Sequence, residues 1–86
     1  MNINELIAII KKKLEEKIVI EKIKIEDKSF LHKNHPGNQK DKFHLVVEIE
    51  SNELKKVSKI NSNRKIYDIL DKELKNFIHS IQLKIN

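Results

Sequence analysis

The apolar positions of this chain change period along its length, and that change limits the possible folds more than any other feature. Ile3, Leu6, Ile7, Ile10 and Leu14 fall at i, i+3, i+4, i+7 and i+11, one stripe of an amphipathic helix. Asn2, with Glu5 three residues on, reads as an N-cap with a returning carboxylate. Lys11, Lys12 and Lys13 fall in the C-terminal half, where cations suit the helix dipole; a lysine run there is ordinarily a solvated face. From residue 18 the period drops to two. Val19, Ile23 and Ile25 share one parity and Lys22 and Lys24 the other, which predicts a strand over 18–27. A clearer strand follows, with Phe43, Leu45, Val47 and Ile49 on one side and His44, Glu48 and Glu50, with Val46 among them, on the other. These two strands are expected to pair antiparallel.

Between them, residues 28–41 hold the chain's one proline and one glycine, Pro36 and Gly37. A loop of about a dozen residues is long for a compact domain, and such loops are often functional. After the second strand, Leu54, Val57 and Ile60 predict a short helix over 52–61, and Ile66, Ile69, Leu70 and Leu74 a firmer one over 63–75, interrupted at Asn61 to Asn63. Ile81, Leu83 and Ile85 then alternate with Ser80, Gln82 and Lys84, a third strand. The order αββααβ predicts an α+β fold, a mixed three-stranded sheet with helices packed on one face, as a single domain over 1–86. The other face would be wet, which suits Lys22, Lys24, Glu48, Gln82 and Lys84.

Composition excludes several classes. At 86 residues the chain suffices for one modest core, and at 38% hydrophobic and 36% charged it is neither disordered nor membrane-embedded. No uncharged stretch approaches the roughly 20 residues of a membrane span. Residues 1–5 have neither a basic nor an apolar region of a signal peptide, so a cytoplasmic location is expected. With no cysteine there is no disulfide, zinc ribbon or thiol nucleophile, and the chain alone cannot supply the four thiolates of an ordinary iron–sulfur site. The net charge of +5 permits nucleic-acid contact without demanding it, and Arg64 is the single arginine.

No enzyme motif is present. One glycine cannot build a phosphate cradle, and there is no G-x-S-x-G or P-loop. The carboxylates sit on predicted solvent faces among lysines, so a tuned acid/base couple has no support. What stands out is four histidines: His32, His35, His44 and His79. Imidazole is the commonest neutral metal ligand, yet a histidine pair in a polar loop is ordinarily just solvated. His44 falls on the solvent parity of its strand. His79 shares parity with Ile81, Leu83 and Ile85, which puts it at the rim of the apolar face, where spacing alone favours a half-buried histidine satisfied by a backbone group.

Four segments together resemble the BolA family. The run Ile25-Glu26-Asp27-Lys28-Ser29-Phe30-Leu31-His32 is similar to its acidic-x-Ser-aromatic-x-His stretch, and Phe43-His44-Leu45-Val46-Val47 to its Phe-x-Val-Val strand. Asn63-Arg64-Lys65-Ile66-Tyr67 resembles its His-Arg-x-Ile-Tyr segment, and Phe77-Ile78-His79-Ser80-Ile81 its C-terminal strand start. The likeness spans about residues 3–85. It departs at Lys42 and Asn63, which stand where the family often has histidine, at Ser62, which replaces an arginine, and in a loop about one residue longer.

The resemblance implies a class II KH-like fold and a non-enzymatic adaptor that joins a monothiol glutaredoxin in a heterodimer. There it would co-ligate a bridging [2Fe-2S] cluster, shared with the glutaredoxin and glutathione, in iron–sulfur cluster assembly, trafficking or iron homeostasis. It implies His32 and His79 as ligands, with His35 the alternative loop ligand, and no cofactor in the isolated chain, which is then a monomer or weak homodimer. Two imidazoles on one iron would make a Rieske-like set with a raised potential, sensitive to acid. The alternative is a KH-like nucleic-acid-binding transcriptional regulator that meets DNA through Lys55, Lys56, Lys59, Arg64 and Lys65. Against it, a KH domain clamps its strand with a GXXG loop that Gly37 alone cannot supply.

Overall fold

The expected N-cap forms. In the computed structural model, which describes residues 2–29 and 42–86, Asn2 accepts the Glu5 N–H at 2.9 Å and donates from its amide to the Glu5 carboxylate at 3.1 Å. That reciprocal pair starts α1 (Ile3–Lys17), which buries Leu6, Ile10 and Leu14 completely. Ile18 leaves the helix in an extended conformation and is itself buried. Val19, the first residue of the expected strand stripe, is instead 65% exposed, and β1 runs only over Lys22–Asp27. The side chain that closes the core here is Ile18, on the opposite parity.

β2 (Phe43–Glu50) is the central strand: it pairs antiparallel with β1 and parallel with β3 (Ile78–Ile85). A parallel neighbour needs a long crossover, and the helices between β2 and β3 supply it. Ser51 ends β2 and caps α2 (Asn52–Lys55), accepting from Leu54 N–H and donating its own hydroxyl to the Val19 carbonyl at 2.7 Å. One fully buried serine thus joins the sheet, the second helix and the segment after α1.

The α+β class, the mixed three-stranded sheet and the helices on one face are as expected; the helix boundaries are not. α2 is a single turn, the chain breaks at residues 56–58, and Ser58 caps α3 (Lys59–Ile69) by accepting from Asn61 N–H. Asn61 to Asn63 therefore lie inside a helix rather than between two. Ser62 fits there because its hydroxyl donates to the Leu54 carbonyl at 3.0 Å, fastening α3 to α2 in the interior. A second break at Leu70 starts α4 (Asp71–Asn76). Val57 and Ile60, read as core positions, are 47% and 70% exposed.

The core lies between the helices and the covered face of the sheet: Leu6, Ile10 and Leu14 of α1, Leu45, Val47 and Ile49 of β2, with Leu54, Ile66, Leu70 and Ile78. One carboxylate departs from the expected solvent placement. Glu73 of α4 is buried and takes an ion pair at 2.7 Å from Lys13 of α1, so a member of the lysine run is structural. No described helix is long and apolar enough to cross a membrane.

Candidate functional site

The open face of the sheet carries the side chains of opposite parity. Cross-strand rows read Lys24, Glu48, Lys84 and Glu26, Val46, Gln82, and the last row at this end is His44 beside Ser80. Together they line a shallow hollow of about 470 Å³.

His44 and His79 meet because β3 bulges. From Leu45 to Ile49, β2 matches Ile81 to Ile85 residue for residue; one step earlier, Phe43 pairs with Ile78 but His44 with Ser80. Two residues of β3 thus pass against one of β2, and His79 is the extra one. Ile78 remains buried in the core, Ile81 resumes the apolar row, and His79 is exposed, not set at the apolar rim as its parity suggested. Its ring centroid lies 4.7 Å from that of His44, with the planes tilted by 46°.

His44 corrects the sequence reading in the other direction. Its parity is that of the wet face, yet it is only 5% exposed. Its backbone N–H donates to the Ser29 hydroxyl at 3.1 Å, its carbonyl accepts the Lys28 N–H at 2.7 Å, and its Nδ1 is hydrogen-bonded to the Ser80 hydroxyl at 2.7 Å. Ser29 is held in turn by its N–H to the Asp27 carboxylate. Lys28 and Ser29 are therefore held against the backbone of His44. His32 and His35 lie outside the described residues.

Away from the histidines the face is ionic. Glu26 sits between Lys28 at 2.9 Å and Lys24 at 3.0 Å. The hydrogen bond from Lys28, then that from Lys24, hold its carboxyl at about 2, well below the ordinary value, and the same contact pushes the Lys24 ammonium up.

Among the described residues no group of three or more histidine, cysteine or acidic side chains is placed to hold a metal. The donors at the sheet end are two imidazoles and a serine hydroxyl. Lys55, Lys56, Lys59, Arg64 and Lys65 are all exposed along α2, the following turn and α3, on the layer that covers the opposite face of the sheet. Lys65 donates to Glu53 at 3.3 Å, which offsets part of that charge. Sequence reasoning missed His44, Ser29 and Ser80 as one assembly. The available signal was spacing: Ile78 to Ile81 is three residues where Ile81, Leu83 and Ile85 are two apart.

A family model described as BolA-like protein matches residues 14–86. The chain belongs to the BolA-like family. Solved structures agree with this BolA-like assignment. It is similar to the BolA domain of SufE1 from Arabidopsis thaliana, at 26% identity and a TM-score of 0.78, over 100% of this chain and 93% of that one. BolA1 from Arabidopsis thaliana matches at 24% identity and 0.78, covering 92% and 87% of the two chains. BolA1 from Mus musculus matches at 22% and 0.71, covering 90% and 60%. The last two, at such identity, speak for the BolA-like fold alone. No curated protein matches in sequence.

Proposed function

We propose that this BolA-like protein is a non-catalytic cytoplasmic adaptor that pairs with a monothiol glutaredoxin and lends imidazole ligands to a bridging [2Fe-2S] cluster, in cluster assembly, trafficking or iron homeostasis. One observation carries the reading: the bulge presents His79 at the surface, beside the anchored start of the segment that bears His32. Ser29 bonds the backbone of His44, and His32 is three residues further on, a reach of at most about 10 Å. A chain without cysteine can offer only half of such a site, and the glutaredoxin and glutathione thiolates would offer the other half. The cluster supplies the redox and transfer chemistry when bound; this chain's part is to orient two neutral nitrogens and to fix His79 on a rigid strand.

Mixing the protein with cluster-loaded monothiol glutaredoxin and glutathione tests this. The visible absorption and circular dichroism of the cluster should change on forming the heterodimer, and His79→Ala should abolish the change. His32→Ala and His35→Ala, made separately, identify the loop ligand. An unaltered glutaredoxin spectrum with no complex on gel filtration would remove the reading. The exposed Lys55, Lys56, Lys59, Arg64 and Lys65 favour nucleic-acid binding in that event, recognisable as affinity that falls steeply with salt.

A further inference from the structure

The helical layer, on the other side of the sheet from the histidine end, carries a second inference that needs neither a glutaredoxin nor a cluster. Residues 55–65 hold five of the chain's eighteen lysines and arginines and none of its thirteen acidic residues, so the rest of the chain carries thirteen charges of each sign. The net charge of +5 therefore lies entirely at the end of α2, in the turn after it and in the first half of α3. The same stretch, extended to Tyr67, exposes three of the four large apolar side chains that the described residues leave in water: Val57, Ile60 and Tyr67. We propose that this surface docks an acidic amphipathic helix of a partner protein, with Ile60 and Tyr67 as apolar anchors and Arg64 between them to meet a carboxylate.

α3 buries Ser62 and Ile66. Ile60, Arg64 and Tyr67 follow at i, i+4 and i+7 and are all exposed, so they form one stripe turned away from the core. Ile60 is 70% exposed. Neither the charge nor the apolar stripe serves the fold. A β-branched side chain left in water adds nothing to a helix. α3 also has no acid in its first turn, where one would suit the dipole, and has Lys59 there instead. A solvated face ordinarily mixes signs, as the open face of the sheet does with Lys24, Glu26 and Glu48. Here, among the described residues, Lys65 alone of the five cations is ion-paired, to Glu53 at 3.3 Å.

The combination of charge and apolar area selects the occupant. A second copy of this chain would set five cations against five. Duplex DNA gains through its phosphates, to which Val57, Ile60 and Tyr67 offer no charge. A bilayer surface takes up a continuous apolar face, and Arg64 interrupts this one. A helix with carboxylates beside its apolar stripe satisfies both features. Ile60 and Tyr67 stand two turns, about 10.5 Å, apart along α3, which matches i and i+7 anchors on a partner helix. One helix buries little area, so the association should be micromolar and reversible.

The test is to pan a random library of 16-residue peptides on phage against the full-length chain, then to measure the enriched peptide by fluorescence anisotropy. Enriched sequences should be net acidic, with apolar residues at i, i+3 or i+4, and i+7. Ile60→Ser should weaken the peptide by about tenfold or more, and Arg64→Gln by about threefold or more. Lys84→Gln, on the open face of the sheet, should stay within about twofold. Circular dichroism of Ile60→Ser should match the parent chain, since the side chain replaced is exposed. NMR of the unmodified protein gives the same decision without a variant: the peptide should shift amide signals within 57–67. Shifts confined to other residues, enriched sequences without acidic residues, or an affinity that Ile60→Ser leaves unaltered would overturn the proposal. So would a library that yields no enriched peptide, and binding to a 20-base-pair DNA duplex or to phosphatidylserine vesicles would then identify the surface as one for phosphate groups. Glutaredoxin takes no part in these measurements, so this surface and the adaptor reading can fail separately.

Discussion

On the covered face of the sheet, Ile23, Ile49 and Ile85 form one row across the three strands and Ile25, Val47 and Leu83 the next; one residue along, on the open face, the rows are Lys24, Glu48, Lys84 and Glu26, Val46, Gln82. The same backbone ladder supports both. The covered rows include fully buried side chains of β2 and gain from removing apolar area from water, a gain that salt and pH leave alone. The open rows gain from ion pairs among side chains in contact with solvent, each weak and screened. The histidine end belongs to neither regime. His44 lies on the open face yet is buried, and a buried imidazole bonded to a hydroxyl costs stability when that partner is lost. Burial and polarity coincide at this end of the open face.

The largest loss is expected in the covered row. Ile49 is fully buried at the centre of β2, and Ile49→Ala should cost about 2–5 kcal/mol by urea denaturation. That is a large part of the roughly 5–15 kcal/mol that holds a small domain. Its neighbour Glu48, on the open face, should tolerate Glu48→Gln within about 0.5 kcal/mol. Similar losses from the two would mean that the open face is covered in solution. The histidine end should fall between: Ser80→Ala removes the partner of His44 Nδ1 and should cost about 1–2 kcal/mol, with a changed His44 ring tautomer by NMR. A cost indistinguishable from that of Glu48→Gln would place His44 with the solvated charges after all.

Much of the covered face was legible because burial there follows period. The α1 stripe and the β2 alternation named side chains that became core, and the β3 alternation named ones that are half-buried against it. The helices between β2 and β3 were legible as helix but not in their breaks, because Ser51, Ser58 and Ser62 place the boundaries through caps and an interior hydrogen bond that an apolar pattern does not register. The site was legible by type and resemblance rather than by place. His79 was named as a candidate, but its orientation depended on a bulge that resets parity, and His44 was assigned to water because alternation reports which face a side chain is on and not whether that face is covered there. The Lys13–Glu73 pair was hidden for a related reason: it joins residues sixty positions apart, and only the packing of α4 near α1 brings them together.

The smallest effect expected is also the one that most sharply separates the two faces, because only the open face should respond to pH in acid. Glu26 has a carboxyl near 4.5 when free and near 2 in the fold, where Lys28 and Lys24 bond it. A depressed pKa contributes stability that is complete above the free value, since the unfolded chain takes up the proton first as pH falls. The contribution of Glu26 is therefore full above about pH 4.5 and fades between 4.5 and 2. Lys24 behaves oppositely: raised above 10.5, it contributes fully at and below neutral pH and loses that contribution only as pH climbs beyond 10.5. Both groups meet solvent, so the effects are modest and should shrink in about 1 M salt, where screening acts over about 3 Å. Glu26→Gln should accordingly flatten the acid limb of the urea midpoint between pH 4.5 and 2 while leaving Ile49→Ala as damaging as before. Parallel acid limbs for the parent chain and Glu26→Gln would show that the Lys24–Glu26–Lys28 row orders the surface without stabilising it, leaving the covered face and the histidine end to account for the stability of the sheet.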